Sequence, residues 1–417
     1  MKLLGNYITH RSSTELTVAD VFREHWDDYR HKHPVTPEQA RVAGAIMACR
    51  TPQLGGRIDQ CNECGALVFR YNSCRDRHCN QCQKYERARW VEQQKVMLLP
   101  IPYFHIVFTT DHALNWLFRQ NRAVLYNLLF KVVSAVLQEK AAKELGYELG
   151  ITGVLHTWGQ QLEEHIHLHT IVTGGGLALD GRRWVKPKGS GYLVDVVALS
   201  AAYRDKLLGG IERLYRQGKL SLVGEAAKPD VTGLLKGLRE KKWEVFIKPF
   251  DNPEAVYEYL SRYVHQVVIS NYRLEEISGG RVRFRYYDNR ERAAAWEKGK
   301  EKVLTLTGEE FVRRFLLHVL PTGFVRIRYY GLHHSSARKQ KLPRCRALLG
   351  LSPALPEVKE LSLMEWLTEV LGEEVDRCPQ CGAVGSLYNR AEFEQLPWLV
   401  ALILSLVSQP TRQGVCR

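Results

Sequence analysis

Apolar and polar residues follow two different periods along the chain, and each period predicts one kind of element. Apolar residues spaced three or four apart predict helices over residues 14–50, 114–145, 195–218, 252–268 and 307–318. Strand-like stretches occur at residues 103–110, 151–158, 163–173, 243–250, 281–288 and 323–331. Because strands alternate with helices and no internal repeat is visible, we expect an α+β fold.

The charge balance of the chain favours a polyanionic partner. Lys and Arg together number 59 against 45 Asp and Glu, a formal net charge of +14. Nucleic acid is the commonest partner of such a surplus. The first residues lack the apolar core of a secretory signal, and the apolar run at 396–407 is too short to span a bilayer. The sequence therefore predicts an intracellular, cytoplasmic protein without a membrane segment.

Six of the ten cysteines lie in C-x-x-C pairs, which are typical of metal sites. Two of these pairs are separated by fourteen residues, a spacing that predicts one structural four-thiolate zinc site. The predicted ligands are Cys61, Cys64, Cys79 and Cys82, with Cys74 and His78 as alternative ligands. The third pair, Cys378 and Cys381, is half of another zinc site, for which Cys345 and Cys416 are the thiols left nearby.

Basic residues cluster around the cysteine pairs and again in residues 321–350, which contain no acidic residue. Both clusters are expected to contact phosphates, although a solvated basic face is the alternative for the second. The residues predicted to bind DNA are Arg75, Arg77, Arg326, Arg328, Lys339, Lys341 and Arg344.

Three histidines alternate with apolar residues in "EEHIHLHTIVTGGG", so His165, His167 and His169 share one face of a strand. Residues two apart on a strand are about 6.6 Å apart, which allows one neighbouring pair to bind a metal ion. The outer two, about 13 Å apart, do not reach the same ion. Downstream, Tyr259 and Tyr263 lie on one face of the helix predicted over 252–268. Such a pair is either core packing or a source of nucleophiles for a metal-polarised phosphate.

Several of these segments together resemble a known family. "LHTWGQQL", "HLHTIVTGGGL" and "YLSRYVHQVVISNYRL", with "YNSCRDRHCNQCQ" before them and "LPTGFVRIRYYGL" after, are similar to the HUH rolling-circle transposases of the insertion sequence 91 family. The resemblance extends from about residue 20 to about residue 350. It implies an HUH endonuclease core, an antiparallel sheet with flanking helices, preceded by a helical, zinc-ribbon-like domain.

The resemblance also implies roles for individual residues. His167 and His169 become ligands of Mg²⁺ or Mn²⁺, and Tyr259 and Tyr263 become the nucleophiles. The third ligand is expected to be Gln160, with Glu164 and Gln266 as further candidates. His165 corresponds to an additional histidine that contacts DNA phosphate or supports a ligand.

The implied reaction is a transesterification on single-stranded DNA, with hairpin-bearing transposon ends as the expected substrate. One tyrosine attacks a phosphodiester and forms a 5′-phosphotyrosine with a free 3′-hydroxyl; the second tyrosine or the hydroxyl resolves it. No phosphate-binding loop of an NTPase is present, consistent with a reaction that hydrolyses no nucleotide.

We expect four regions: a helical zinc-binding domain (1–95), the nuclease core (96–275), a basic extension (276–350) and a C-terminal region with the third cysteine pair (351–417). Three other functions are considered: a plasmid or phage replication initiator with the same chemistry, a metallohydrolase with an H-x-H pair, and a non-enzymatic zinc-dependent DNA-binding regulator.

Overall fold

A computed structural model describes most of the chain: residues 7–9, 16–187, 195–223, 230–250, 252, 255–256, 268–288, 291, 299–357, 365, 368 and 376–393. Its strands are β1 (Tyr7–Thr9), β2 (Gly56–Cys61), β3 (Leu67–Tyr71), β4 (Tyr103–Thr109), β5 (Tyr147–Glu148), β6 (Gly150–Trp158), β7 (Glu164–Thr173), β8 (Gly176–Ala178), β9 (Trp184–Val185), β10 (Val245–Phe250), β11 (Leu274–Ser278), β12 (Arg281–Asp288), β13 (Lys300–Thr307), β14 (Ile327–Gly331) and β15 (Leu387–Phe393). Its α-helices are α1 (Val18–Lys32), α2 (Pro37–Ala48), α3 (Gln83–Lys95), α4 (Asn115–Gln120), α5 (Arg122–Lys140), α6 (Val196–Arg216), α7 (Val231–Glu240), α8 (Gly308–Leu316) and α9 (Ser335–Leu348).

A five-stranded antiparallel sheet lies at the centre, in the order β10-β4-β7-β6-β14. The even-numbered residues of β4 and β7, such as Phe104, Ile106 and Leu168, pack against α5 and α6 in one large apolar cluster. Because side chains alternate along a strand, the odd-numbered residues of β7 face the opposite side of the sheet. The histidine run therefore projects away from the main core.

The opposite face of the sheet is covered by a second apolar cluster. Tyr103, Val154 and Ile171 of the sheet belong to it, together with Trp90 of α3 and Val256. Val256 is fully buried in this cluster, so the chain just before residue 257 lies on the same face as the histidines.

The first helices pack against a region far away in sequence. α1 and α2 each begin with a capping box, at Thr17 and Thr36 respectively. Phe22 of α1 meets Phe315 of α8 edge-on at a centroid distance of 5.2 Å. The antiparallel sheet β11-β12-β13 adds Phe284 to the same cluster. Residues of the predicted basic extension thus share a core with the predicted N-terminal domain.

A four-stranded sheet in the order β1-β3-β2-β15 lies in the N-terminal part. β15 comes from the predicted C-terminal region and pairs antiparallel with β2. The predicted fold class is confirmed: the chain is α+β, with an antiparallel sheet core and a zinc-binding N-terminal region.

The predicted helix over 252–268 lies almost wholly outside the described residues, and so do Tyr259, Tyr263 and Gln266. The apolar run 396–407 and Cys416 lie outside them as well. Within the described part of the chain, no helix has the length and apolar character needed to cross a membrane.

Candidate active site and metal centres

The hairpin of β6 and β7 brings three histidines together. His156 lies directly opposite His167, and Val154 lies opposite His169. Paired residues of antiparallel strands project to the same face with Cβ atoms about 5 Å apart. The ligand nitrogens of His156, His167 and His169 consequently lie within 4.8 Å of one another. Three imidazoles so arranged can bind one metal ion and leave coordination positions open.

Hydrogen bonds orient two of these rings. Nδ1 of His167 donates to the carbonyl oxygen of His165 at 2.7 Å, which leaves Nε2 of His167 to bind a metal. Nδ1 of His169 lies 2.9 Å from Nε2 of His105 on β4. When His169 donates in this contact, its Nε2 is the ligand atom. Partners of this kind set the tautomer and direction of metal-binding histidines.

Burial keeps His167, His169 and the neighbouring His105 neutral near pH 7. Desolvation, followed by the nearby His165, lowers the pKa of His167 to about 3. Desolvation and then His156 hold the pKa of His169 well below its ordinary value. Desolvation and then Lys248 lower the pKa of His105 to about 3. The neutral form of an imidazole is the one that binds metal.

The third imidazole, His156, lies outside the alternating pattern that predicts His167 and His169. Gln160, the predicted third ligand, lies in the turn beyond the last pair of the hairpin, Trp158 and Glu164. It is therefore several rows of the sheet away from His167, whereas His156 is directly opposite. Gln160 as a ligand stays a prediction. The signal that points to His156 is the short connection between the two strands, which sets the register of the hairpin.

The remaining candidates on β7 have other partners. Nδ1 of His165 lies 3.4 Å from Nε2 of His112, and His165 is not among the three clustered histidines. Glu164 forms an ion pair with Arg119. His112, Glu164 and Arg119 line one cleft, together with Arg313. These contacts place His165 beside the three clustered histidines and next to a cleft that contains cationic side chains.

Buried residues lie before and after the segment that carries the tyrosines. Val256, before it, shares a buried cluster with Val154 and Ile171. Ile269, after it, shares another cluster with Trp158. His156 lies between Val154 and Trp158 on β6. Val256 and Ile269 thus belong to the two apolar clusters that include the β6 residues on either side of His156.

Within the described residues, eight cysteines form two clusters rather than one. Cys49, Cys74, Cys79 and Cys82 form the first, and Sγ of Cys74 lies 3.7 Å from Sγ of Cys82. The second cluster contains Cys61, Cys64, Cys378 and Cys381.

The prediction that Cys61, Cys64, Cys79 and Cys82 share one ion is wrong in its grouping. β2 and β3 carry the first C-x-x-C pair away from the second, while β15 brings Cys378 and Cys381 to it. Cys74, which the sequence offers as an alternative ligand, is a member of the first cluster. Cys49, which belongs to no C-x-x-C pair, completes that cluster from the end of α2.

His78 does not belong to either cluster. Its Nδ1 lies 2.9 Å from a carboxylate oxygen of Asp76, and its Nε2 accepts from the backbone N–H of Leu320 at 3.2 Å. Both ring nitrogens are engaged, so His78 links the zinc domain to the core. Cys345 is buried in the sheet cluster and lies in neither thiol group.

The basic residues predicted to bind DNA differ in their exposure. Arg75, Lys339 and Arg344 are exposed. Arg326 is only 8% exposed, and burial followed by the nearby Arg77 lowers its pKa to about 10. The prediction that Arg326 contacts DNA is wrong for this conformation, because its side chain is inside the protein.

Three further basic residues are held by protein groups. Arg77 donates to the carbonyl oxygens of Phe324 and Pro321. The guanidinium of Arg328 lies 4.3 Å from the ring centroid of Phe130. Lys341 forms a 2.6 Å ion pair with Glu148. Their contacts with DNA stay predictions.

Comparison with known proteins gives two family matches. Residues 150–341 match a family described as "Putative transposase", and residues 21–110 match one described as "Transposase zinc-binding domain". The first range contains the histidine cluster, and the second contains the whole first cysteine cluster.

Two relatives cover most of the chain. "Putative transposase y4qJ" of Sinorhizobium fredii is 42% identical over 374 residues, which are 87% of this chain and 92% of that protein. "Transposase for insertion sequence element IS801" of Pseudomonas savastanoi pv. phaseolicola is 30% identical over 356 residues, 81% of this chain and 80% of the relative. No solved structure matches the chain significantly.

Proposed function

The chain belongs to the insertion sequence 91 family of transposases, and we propose that it nicks and rejoins single-stranded DNA through tyrosine in rolling-circle transposition. The observation that carries this proposal is the buried cluster of His156, His167 and His169.

The buried residues before and after the tyrosine segment support a position of the tyrosines next to the histidines. Tyr259 follows Val256 by three residues, and Tyr263 precedes Ile269 by six. Val256 and Ile269 are buried, and each belongs to an apolar cluster that includes a residue of the hairpin. In this proposal both phenols face the histidine cluster.

Three imidazoles are a donor set that fits a divalent transition ion such as Mn²⁺ better than Mg²⁺, which prefers oxygen ligands. His156, His167 and His169 would hold the ion. When bound, it would polarise a phosphate oxygen of the DNA. His105 would act through His169, by holding that ring in the tautomer that presents Nε2.

The proposed reaction exchanges one phosphodiester for another. The phenolic oxygen of one tyrosine attacks phosphorus, and the bond from phosphorus to the 3′-oxygen breaks. The phenol loses its proton and the leaving 3′-oxygen gains one. The products are a 5′-phosphotyrosine and a free 3′-hydroxyl, and the second tyrosine or the hydroxyl then attacks the phosphotyrosine.

DNA contacts are proposed for the exposed basic residues Arg75, Lys339 and Arg344, with hairpin-bearing transposon ends as the substrate. These side chains are accessible, and each neutralised phosphate adds salt-dependent affinity.

The test is the formation of a covalent protein–DNA adduct on denaturing gels. Labelled single-stranded DNA of the element's ends is incubated with the full chain and Mn²⁺. We expect an adduct that needs the metal, that persists in one or both single variants Tyr259→Phe and Tyr263→Phe, and that disappears in the double variant.

Tyr257→Phe is the matched control, because this tyrosine lies in the same segment but on another face of the predicted helix. It should form the adduct at the wild-type level. An adduct that survives in the double variant, or that forms equally without divalent metal, contradicts the proposal.

A further inference from the structure

We infer that the chain holds a second structural zinc ion, bound by Cys61, Cys64, Cys378 and Cys381, which fastens the C-terminal cysteine pair to the N-terminal zinc domain. The family match for zinc binding ends at residue 110 and does not include half of these ligands. This inference goes beyond the proposed function and does not depend on it.

The sulfur positions fit a tetrahedral metal site. Sγ of Cys61 lies 3.7 Å from Sγ of Cys381, and Sγ of Cys64 lies 3.7 Å from Sγ of Cys378. With zinc–sulfur bonds of about 2.3 Å, the edge of a zinc–thiolate tetrahedron is about 3.8 Å. A disulfide needs sulfur atoms about 2.05 Å apart. The four thiols are therefore spaced as ligands and not as disulfide partners.

The two C-x-x-C pairs also share one backbone turn. In the first, Gly65 N–H donates to the carbonyl of Cys61, and Cys61 N–H donates to that of Ala66, both at 2.9 Å. In the second, Gly382 N–H donates to Cys378 at 2.9 Å, and Cys378 N–H donates to Ala383 at 2.8 Å.

The glycines of both turns have positive φ, +71° at Gly65 and +76° at Gly382. Glycine adopts this conformation without the steric penalty of a Cβ. The Cys79 and Cys82 pair is followed by Gln83 instead. The matching turns at the second cluster present two pairs of sulfurs to one point.

Strand pairing holds the two halves in place. β15 pairs with β2 from Leu387 opposite Cys61 to Phe393 opposite Gly56. Tyr388 and Arg390 each donate to the side-chain oxygen of Gln60 at 2.9 Å. The apolar cluster here is small, with Cys61, Ala66 and Cys378 as its buried members. So small a core usually needs a metal or another cross-link for stability.

The experiment measures zinc and iron per chain by elemental analysis of the purified full-length protein. We expect about two zinc ions in the wild type and about one in Cys378→Ser plus Cys381→Ser. Cys345→Ala is the control, because Cys345 belongs to neither cluster, and it should keep both ions. One zinc ion in the wild type, two in the double variant, or iron in place of the second zinc would each overturn the inference.

A pair of single variants keeps the test independent of misfolding. Cys381 is the exposed ligand, so a larger residue is tolerated there. Cys381→His should retain the second zinc, because imidazole is also a zinc ligand, whereas Cys381→Ser should lose it. In Cys381→Ser we expect amide hydrogen exchange in β15 to accelerate about tenfold or more, with no change in β7. Equal exchange in both variants contradicts the inference.

Discussion

The histidine cluster and the cysteine clusters bring metal ligands together in opposite ways. His156, His167 and His169 lie on two strands of one hairpin, where backbone pairing sets their positions. The first cysteine cluster joins the end of α2 to the loops before α3, and the second joins β2 to the segment before β15. We expect the sheet to form without an ion at the histidines, whereas the loops at the cysteines should need an ion to keep their structure.

This difference distinguishes a site that is suited to catalysis from sites that stabilise the fold. A site on a preformed sheet can leave coordination positions open and still keep its shape, which is what catalysis needs. Four thiolates close the coordination sphere, and the binding free energy goes into folding. In the proposed function the same chain uses metal for two purposes, so variants at the two kinds of site should fail differently.

The largest contrast is expected between the first cysteine cluster and the histidine cluster. Cys79→Ser plus Cys82→Ser removes ligands whose zinc contributes on the order of 10 kcal/mol, so α1 and α2 should lose protection from hydrogen exchange. His167→Ala should keep both zinc ions and normal exchange, yet lower adduct formation on the order of a thousandfold. Exchange, zinc content and adduct yield are measured on the same preparations.

His31→Ala, an exposed histidine of α1, is the control for the second variant and should behave as wild type. If His167→Ala lost structure as widely as the cysteine variant does, the histidines would be structural and the contrast between the two kinds of site would disappear.

Local structure could be predicted well from the sequence, and long-range partners poorly. The alternation in β7 and the apolar spacing in α5 and α6 depend on neighbouring residues, so these elements follow directly from the pattern. Cys61 and Cys381 are 320 residues apart, and only pairing of β15 with β2 brings them together. His156 could not be predicted from spacing alone because its partnership with His167 depends on the register of a hairpin. The prediction for Arg326 is wrong because composition does not reveal burial.

The identity of the third histidine ligand gives an intermediate effect. His156→Ala should weaken Mn²⁺ binding to the full chain by about a hundredfold, because one of the three metal ligands is lost from a buried site. Gln160→Ala should change the affinity by less than about threefold, since that residue lies beyond the hairpin's paired rows. Isothermal titration calorimetry compares the two. The reverse order would make Gln160 the ligand and His156 a packing residue.

The pH dependence of Mn²⁺ binding gives the smallest expected change. Burial and His165 lower the pKa of His167 to about 3, and burial and His156 hold that of His169 well below its ordinary value. Protons compete for an imidazole only near and below its pKa, so both ligands stay neutral as pH falls from about 7 to about 5.5. We expect the affinity from calorimetry to change less than about twofold, whereas exposed histidines with a pKa near 6.5 would each cost about tenfold. A tenfold fall would mean that the sheet does not shield the histidine ligands. Solvent would then reach the histidine cluster as it reaches the exposed Cys381.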